Sequence, residues 1–446
     1  MKISSLLPNF ALRSAFGLAL LAAAFGGGPR ADAANWPSWR GDVQGSGISS
    51  ETNLPLEWSD TKNIRWRVKL PERGNSTATV WGERVFVTQA VSAEKKRTLM
   101  CFHRSDGRLL WQQGVVYAEP ERTQPANPYC SASPVTDGER VIASFGSAGL
   151  VCYDLDGREL WRRDFGKFDN LWGNASSPVI FENLCIHYCG PTQHPSLVAL
   201  DKKTGKTIWK FDEPAWDTAD RTDGFKGKSD GVIGTWSTPI VIRAGGHDEL
   251  VMTFPMEARG FDPRTGRELW RCGGLSPLVY ASPIFGEGIV VGMGGYYGNT
   301  IAVKPGGSGD VTATQRVWNQ VRSKVGIGSG VIKDGYVYHV QSGAGGPVTC
   351  LELKTGKLVW EEKPVGVSKR AGSWSSMVLA GDRLYYPNQS GDVVVLKASP
   401  KFEQLAVNPL KEPTNSSIAI SDGDIFLRTE TTLWCISAAK PAAALR

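Results

Sequence analysis

The chain has 446 residues, including 51 glycines and 16 tryptophans, and a formal net charge of +6. So weak and dispersed a positive charge excludes an electrostatically driven nucleic-acid binder. Abundant glycine together with abundant tryptophan points to many short strands, tight turns and a recurring aromatic packing position.

Residues 1–33 differ from the rest. Lys2 and Arg13 give a basic start, Ala15 to Phe25 an apolar run, and Ala31-Asp32-Ala33 a small-x-small site, which predicts a secretory signal peptide cut after Ala33. The apolar run is about 11 residues long, against the roughly 20 that span a bilayer. No cysteine stands beside the cut. The mature chain is therefore expected to be exported, periplasmic or secreted, with no membrane anchor after signal removal. Residues 34–57 read as a lead-in segment, 58–437 as one repeat domain and 438–446 as a C-terminal tail.

Within 58–437 one phrase recurs: a Ser or Thr, often a Pro, a short apolar run, a polar turn, a β-rich run, then a turn and an apolar strand holding Trp. The clearest copy runs from Ser177-Pro178-Val179-Ile180 through Leu197–Asp201 to Thr204-Gly205-Lys206-Thr207-Ile208-Trp209. The opening residue is Thr77, Ser133, Ser177, Thr238, Ser282, Ser329, Ser376 and Ser417, a Ser or Thr in all eight copies. The closing Trp is Trp66, Trp111, Trp161, Trp209, Trp270, Trp318 and Trp360, and the next copy should close at Val407. A spacing of roughly 40 to 60 residues suits a four-stranded blade. In Asp201–Gly205 and Asp262–Gly266 the Asp caps its own turn and Gly takes the left-handed position. The fifth copy replaces this turn with a Pro305-to-Thr314 loop. One Trp per outer strand reads as packing between neighbouring blades.

The eighth copy stops at Ile436, while Ile64–Val68 precedes the first opening hydroxyl. The N-terminal strand is expected to complete the last blade, removing two open sheet edges. The pattern thus predicts an all-β fold, an eight-bladed β-propeller of four-stranded antiparallel blades. By the same register Cys101, Cys152, Cys350 and Cys435 share a small third-strand position with Ala199, Ala302, Gly260 and Val395, in different blades, so they are not expected to pair. Cys185 and Cys189 lie too far apart along one strand to bridge. Cys130 and Cys272 stay open.

These residues resemble the quinoprotein (PQQ-like) propeller repeat, whose mark is Ala/Cys-Leu-Asp/Glu…Thr-Gly-x-x-x-Trp. Trp36-Pro37-Ser38-Trp39-Arg40-Gly41, the Pro305–Thr312 loop and Leu427-Arg428-Thr429…Leu433-Trp434-Cys435-Ile436 are similar to exported bacterial members. Quinoprotein alcohol dehydrogenases in this group hold PQQ and calcium at the propeller centre, with an adjacent Cys-Cys disulfide, a stacking Trp, acidic calcium ligands and an Asp base. This sequence has no Cys-Cys pair. The outer-membrane assembly lipoprotein of the group binds proteins and needs a lipid-bearing Cys. The resemblance therefore implies a non-catalytic extracytoplasmic binding or scaffold propeller, recognising a small molecule, glycan or protein at the central channel mouth, with no cofactor. The alternative is a divergent PQQ-dependent alcohol or sugar dehydrogenase using PQQ with calcium.

Ligands of such a ring are expected just before the opening hydroxyls, which selects Asn75, Tyr129, Trp172, Asn174, Trp236, Tyr280, Arg370, Trp374 and Asn415. The Glu213-to-Gly234 insertion, with Trp216, Asp217, Asp220, Arg221, Asp223 and Lys228, is a candidate lid or partner surface. Cys185, His187 and Cys189 alternate along one strand and share a face, a weak metal signal.

Overall fold

The computed structural model describes residues 34–217, 233–368 and 372–438. The predicted signal segment, residues 439–446 of the tail, Arg370, and Asp220, Arg221, Asp223 and Lys228 of the insertion lie outside them. Among the described residues no helix is long and apolar enough to cross a membrane.

The eight copies form eight four-stranded antiparallel blades of a β-propeller. Blade 1 runs from the inner strand Thr79–Trp81 through Arg84–Val91 and Lys96–His103 to the outer strand Leu109–Val116. Blades 2 to 7 follow in order, and blade 8 holds Ala419–Ser421, Asp424–Arg428 and Thr432–Ser437. Its outer strand is the N-terminal Ile64–Lys69, paired antiparallel with Thr432–Ile436. Arg65 and Arg104 both reach Asp424 across this closure, at 2.8 and 3.5 Å.

The opening hydroxyls explain themselves in three dimensions. Each accepts the backbone N–H of its counterpart in the preceding blade: Thr77 to Ser133 (2.9 Å), Ser133 to Ser177 (3.0 Å), Ser177 to Thr238 (3.0 Å) and Thr238 to Ser282 (2.7 Å). The circle continues from Ser329 to Ser376 (3.0 Å) and Ser376 to Ser417 (2.9 Å), and Ser417 returns to Thr77 (3.3 Å). At the remaining seam the Ser329 hydroxyl donates to the Ser282 carbonyl instead, at 3.0 Å. A buried N–H near the axis has no strand partner, and a short hydroxyl side chain is the residue that satisfies it.

The closing tryptophans staple the blades at the rim. The indole N–H of Trp66, Trp111, Trp161, Trp209, Trp318 and Trp360 donates to a carbonyl of the next blade at 2.7–3.2 Å. In five of these six the turn glycine of that blade lies on the ring, and on Trp360 Phe402 takes its place. Gly205 has φ of 70°, and a Cβ there would sit 2.8 Å from the Trp161 ring, so both backbone sign and clearance demand glycine. Where the loop replaces the turn, Gly309–Asp310 adds as a parallel strand beside Trp270 and Arg271, and Trp270 donates to buried Glu249 at 2.7 Å.

In blade 7 the structure corrects the register by one residue. Ala406, not Val407, pairs with Val395 and occupies the tryptophan position. The missing ring comes from elsewhere: Trp58 stacks on Tyr385 at 6.5 Å and 17°. Tyr385 holds the second-strand aromatic position that Phe86, Tyr338 and Phe426 hold in blades 1, 6 and 8, each touching its blade's own tryptophan. The other seven tryptophan positions fall opposite Cys101, Cys152, Ala199, Gly260, Ala302, Cys350 and Cys435. All eight cysteines are free and buried.

The lead-in is a strap across one opening of the ring. Trp36 pairs with Val80, the Pro37 carbonyl accepts from Thr136, that of Val43 from Val241 and that of Gly47 from Leu379. Each partner is the third residue after an opening hydroxyl, in blades 1, 2, 4 and 7. At mid-strap Arg40, 1% exposed, donates to the carbonyls of Gly45, Ser46, Gly330 and Met377 at 2.8–3.1 Å. A buried guanidinium is tolerable because its fork of donors is satisfied by carbonyl oxygens.

Candidate functional site

The axis of the ring holds a cavity of about 350 Å³, within the size range of small-ligand sites. It is a cup with three tiers. The floor is Trp39, carried by the strap. The waist is seven of the opening hydroxyls: Thr77, Ser133, Ser177, Thr238, Ser282, Ser376 and Ser417. The wall is the residue two places before each hydroxyl, in all eight blades: Asn75, Ser131, Ala175, Trp236, Tyr280, Ile327, Trp374 and Asn415.

Six of the nine residues selected from sequence are thereby brought together: Asn75, Trp172, Trp236, Tyr280, Trp374 and Asn415. Trp172 reaches the cavity from the Asn170–Gly173 turn. Tyr129 and Asn174 sit outside the wall register. They line a small side pocket with Glu121 and Cys130, where the Asn174 amide donates to Glu121 at 3.0 Å and the Tyr129 hydroxyl to the Glu121 carbonyl at 2.7 Å. Burial raises the Glu121 carboxyl above its ordinary range. The Arg97 guanidinium lies 3.5 Å from the centre of the Tyr129 ring. Arg370 lies outside the described residues.

The wall aromatics are placed by backbone pairing. Gly234–Thr235 runs parallel to Leu278–Val279, which sets Trp236 beside Tyr280. Their rings stack at 5.1 Å and 15°. Trp172 tilts against both, at 5.7 and 6.1 Å, and the Trp236 indole donates to the Gly173 carbonyl at 2.8 Å. Tyr296 adds an edge against Tyr280 at 6.4 Å. The amides have a structural duty: Asn75 and Asn415 both donate to the Ala126 carbonyl, at 2.8 and 3.2 Å. They clamp a loop whose Gln124, Ala126 and Asn127 overhang the cavity. Of the insertion, Trp216 folds back, its indole donating to half-buried Glu213 at 2.6 Å under the Arg259 guanidinium.

Sequence reasoning missed Ser131, Ala175, Ile327, the hydroxyl waist and Trp39. Strict counting back from each opening hydroxyl finds the first three. Nothing in the sequence places Trp39.

No described residue of the cup is Asp, Glu, Lys, Arg, His or Cys. Calcium takes six to eight oxygens, chiefly from carboxylates and carbonyls, so the described lining does not fit a PQQ–calcium centre. Nor do the described residues contain a group of three or more His, Cys, Asp or Glu placed to hold a metal ion. His187 is buried, with its Nε2 3.1 Å from the Ser144 hydroxyl, and burial lowers its pKa to about 4.

Comparison with known proteins agrees with this architecture. A family model described as outer membrane protein assembly factor BamB matches residues 48–187 and 256–422. An outer membrane protein assembly factor BamB from Xanthomonas campestris pv. campestris is 29% identical over 141 residues, 31% of each chain. The match thus spans less than a third of that relative's length. Among solved structures, the quinohemoprotein alcohol dehydrogenase from Comamonas testosteroni superposes with a TM-score of 0.68 at 11% identity, over 93% of this chain and 82% of that one. BamB from Moraxella catarrhalis superposes at 0.56 and 12%, over 83% and 98%. Identities this low speak for the fold alone.

Proposed function

Because the chain belongs to the PQQ-repeat family whose model is described as outer membrane protein assembly factor BamB, we propose that it is an exported, non-catalytic binding or scaffold propeller that takes an uncharged ligand in its central cup. One observation carries this reading: the described cup lining is made of aromatic rings, amides and hydroxyls with no acid, base or thiol. General acid–base catalysis needs a titratable group within hydrogen-bonding reach of substrate, and covalent catalysis an activated nucleophile. The seven waist hydroxyls are not activated by any base; each accepts a backbone N–H. Rings with a few polar groups on a rigid frame are instead the composition of a recognition site. The names of its relatives suggest that bound partners include proteins of an assembly process.

The test has two arms. Purified protein incubated with PQQ and calcium, then freed of unbound cofactor, should show no quinone absorbance and no dye-linked oxidation of alcohols or aldoses. Titration with a panel of uncharged small molecules, followed by tryptophan fluorescence, should yield binders whose signal is lost in Trp374→Ala. PQQ-dependent dye reduction would overturn the proposal in favour of a divergent dehydrogenase.

A further inference from the structure

Seven waist hydroxyls line the cup, and each oxygen already accepts a backbone N–H from behind. A hydroxyl also has one proton to donate and a second lone pair. Among the described residues the seven protons have no protein acceptor. The cup therefore presents an arc of seven hydroxyl donors, broken only at Ser329, facing a cavity whose described lining carries no charge. An apolar chain cannot use them, and an anion would find no cation among the described lining.

The second observation is at the rim. Tyr296 and Tyr297 are consecutive, both exposed, and both left-handed, with φ of 48° and 69°. That backbone region disfavours bulky side chains, and such outliers gather at ligand clamps. The turn is imposed by the Tyr296 N–H donating to the Val325 carbonyl (2.9 Å) and the Gly298 N–H to that of Gly295 (2.8 Å). Its effect is to carry the aromatic surface outward: Tyr280 meets Tyr296, and Tyr296 meets Tyr297 at 5.9 Å and 73°. Rings thus follow one another without a gap from the cup wall to open solvent.

Resting on the binding reading above, we infer that the ligand is a neutral glycan, one terminal sugar ring seated in the cup and the following residues crossing Tyr296 and Tyr297. Sugars combine what the site offers. Their hydroxyls serve as acceptors and donors around the whole ring edge, and their C–H faces are apolar enough to lie on aromatic rings. The room fits as well. At ~30 Å³ per water the cavity displaces on the order of a dozen waters, the bulk of one sugar ring with about half a dozen bridging waters or of about two rings. Anything longer than two rings must leave over the rim.

The experiment uses isothermal titration calorimetry and tryptophan fluorescence on the mature protein. The probes are glucose, mannose and galactose, the neutral hexasaccharides of each, and end-capped uncharged tripeptides. At least one hexasaccharide should bind, at least about tenfold tighter than its monosaccharide. Replacing both rim rings (Tyr296→Ala with Tyr297→Ala) should weaken the hexasaccharide by about three- to tenfold per ring, the equivalent of a stacking contact. In Tyr297→Ala alone, whose ring lies outside the cup lining, monosaccharide binding should be unchanged while the hexasaccharide still weakens, and because both rings are exposed the melting temperature should hold. Hexasaccharide binding that ignores the double substitution overturns the rim path. Tripeptides that bind the cup where no saccharide does overturn the glycan while leaving the binding reading intact. If neither class perturbs the cup tryptophans, both fall.

Discussion

Trp58 is a residue whose sequence context gives no hint of its weight, so it is the sharpest probe of the seam between blades 7 and 8. It is 3% exposed, stacks on Tyr385, and its backbone N–H donates to the Asn408 side chain at 2.8 Å. Trp58→Ala leaves that hydrogen bond in place and removes only the ring. Truncating a buried Trp typically costs 3–5 kcal/mol, so a loss of about 4 kcal/mol is expected. With an unfolding entropy of ~2.1 cal/mol/K per residue over about 400 residues, that amounts to a fall of about 5 °C in Tm. Calorimetry should show this drop, and urea titration a matching fall in midpoint. Trp58→Phe should recover part of it. A double-mutant cycle with Tyr385→Ala should give a coupling of about 1 kcal/mol, as for other aromatic pairs. Val365→Ala, at a position 73% exposed, serves as the control. If Trp58→Ala moves Tm no more than that control does, the ring is not filling the blade 7 position and the account of the seam is wrong.

Further expectations follow from the same packing. Gly205→Ala should cost about 2 kcal/mol, from its left-handed backbone and the close Trp161 ring, whereas Gly246→Ala, with φ of 83° but open space around it, should lose only the backbone share; urea midpoints compare the two. His187 and His339 are buried and held to a pKa of about 4. The unfolded chain, with an ordinary histidine pKa near 6.5, binds the extra protons, so stability is complete above that pH and declines as pH falls toward 4. At pH 5 the loss is about 2 kcal/mol per histidine, and His187→Phe should flatten part of the slope in a stability–pH series. All eight thiols are free and buried, and burial pushes those of Cys101, Cys130, Cys152, Cys189 and Cys350 up to about 12. A thiol reagent should therefore leave the native protein unmodified and titrate eight groups after denaturation; a mass consistent with any disulfide would contradict this.

The parts of the architecture written in a repeated residue type were legible. A hydroxyl in eight of eight copies marks a hydrogen bond that every blade must make, and the small third-strand position marks where a tryptophan lies opposite. What failed to show was set by geometry rather than by residue type. Val407 was one place off because blade 7 has no tryptophan to reveal where the bulge beside Val395 falls, leaving Ala406 in the slot. Ser131, Ala175 and Ile327 line the cup without conspicuous chemistry, while Tyr129 and Asn174, conspicuous by type, fall out of register into the side pocket. The amides of Asn75 and Asn415 line the cup as selected and in addition clamp Ala126, a contact no local pattern announces. Trp39 and Trp58 act through contacts with blades far along the chain, which no local pattern can express.

The strap and the strand after it make assembly a matter of timing. Residues 34–69 are synthesised first, yet Ile64–Lys69 has no partner until Thr432–Ser437 has been made. Arg40 likewise waits for the Gly330 and Met377 carbonyls. A chain stopped short of its final blade therefore has neither a closed circle nor a sealed base. The completed molecule is one-sided among its described residues: the strap with Trp39 closes one end of the cup, and the wall aromatics with the Gln124–Asn127 loop stand at the other.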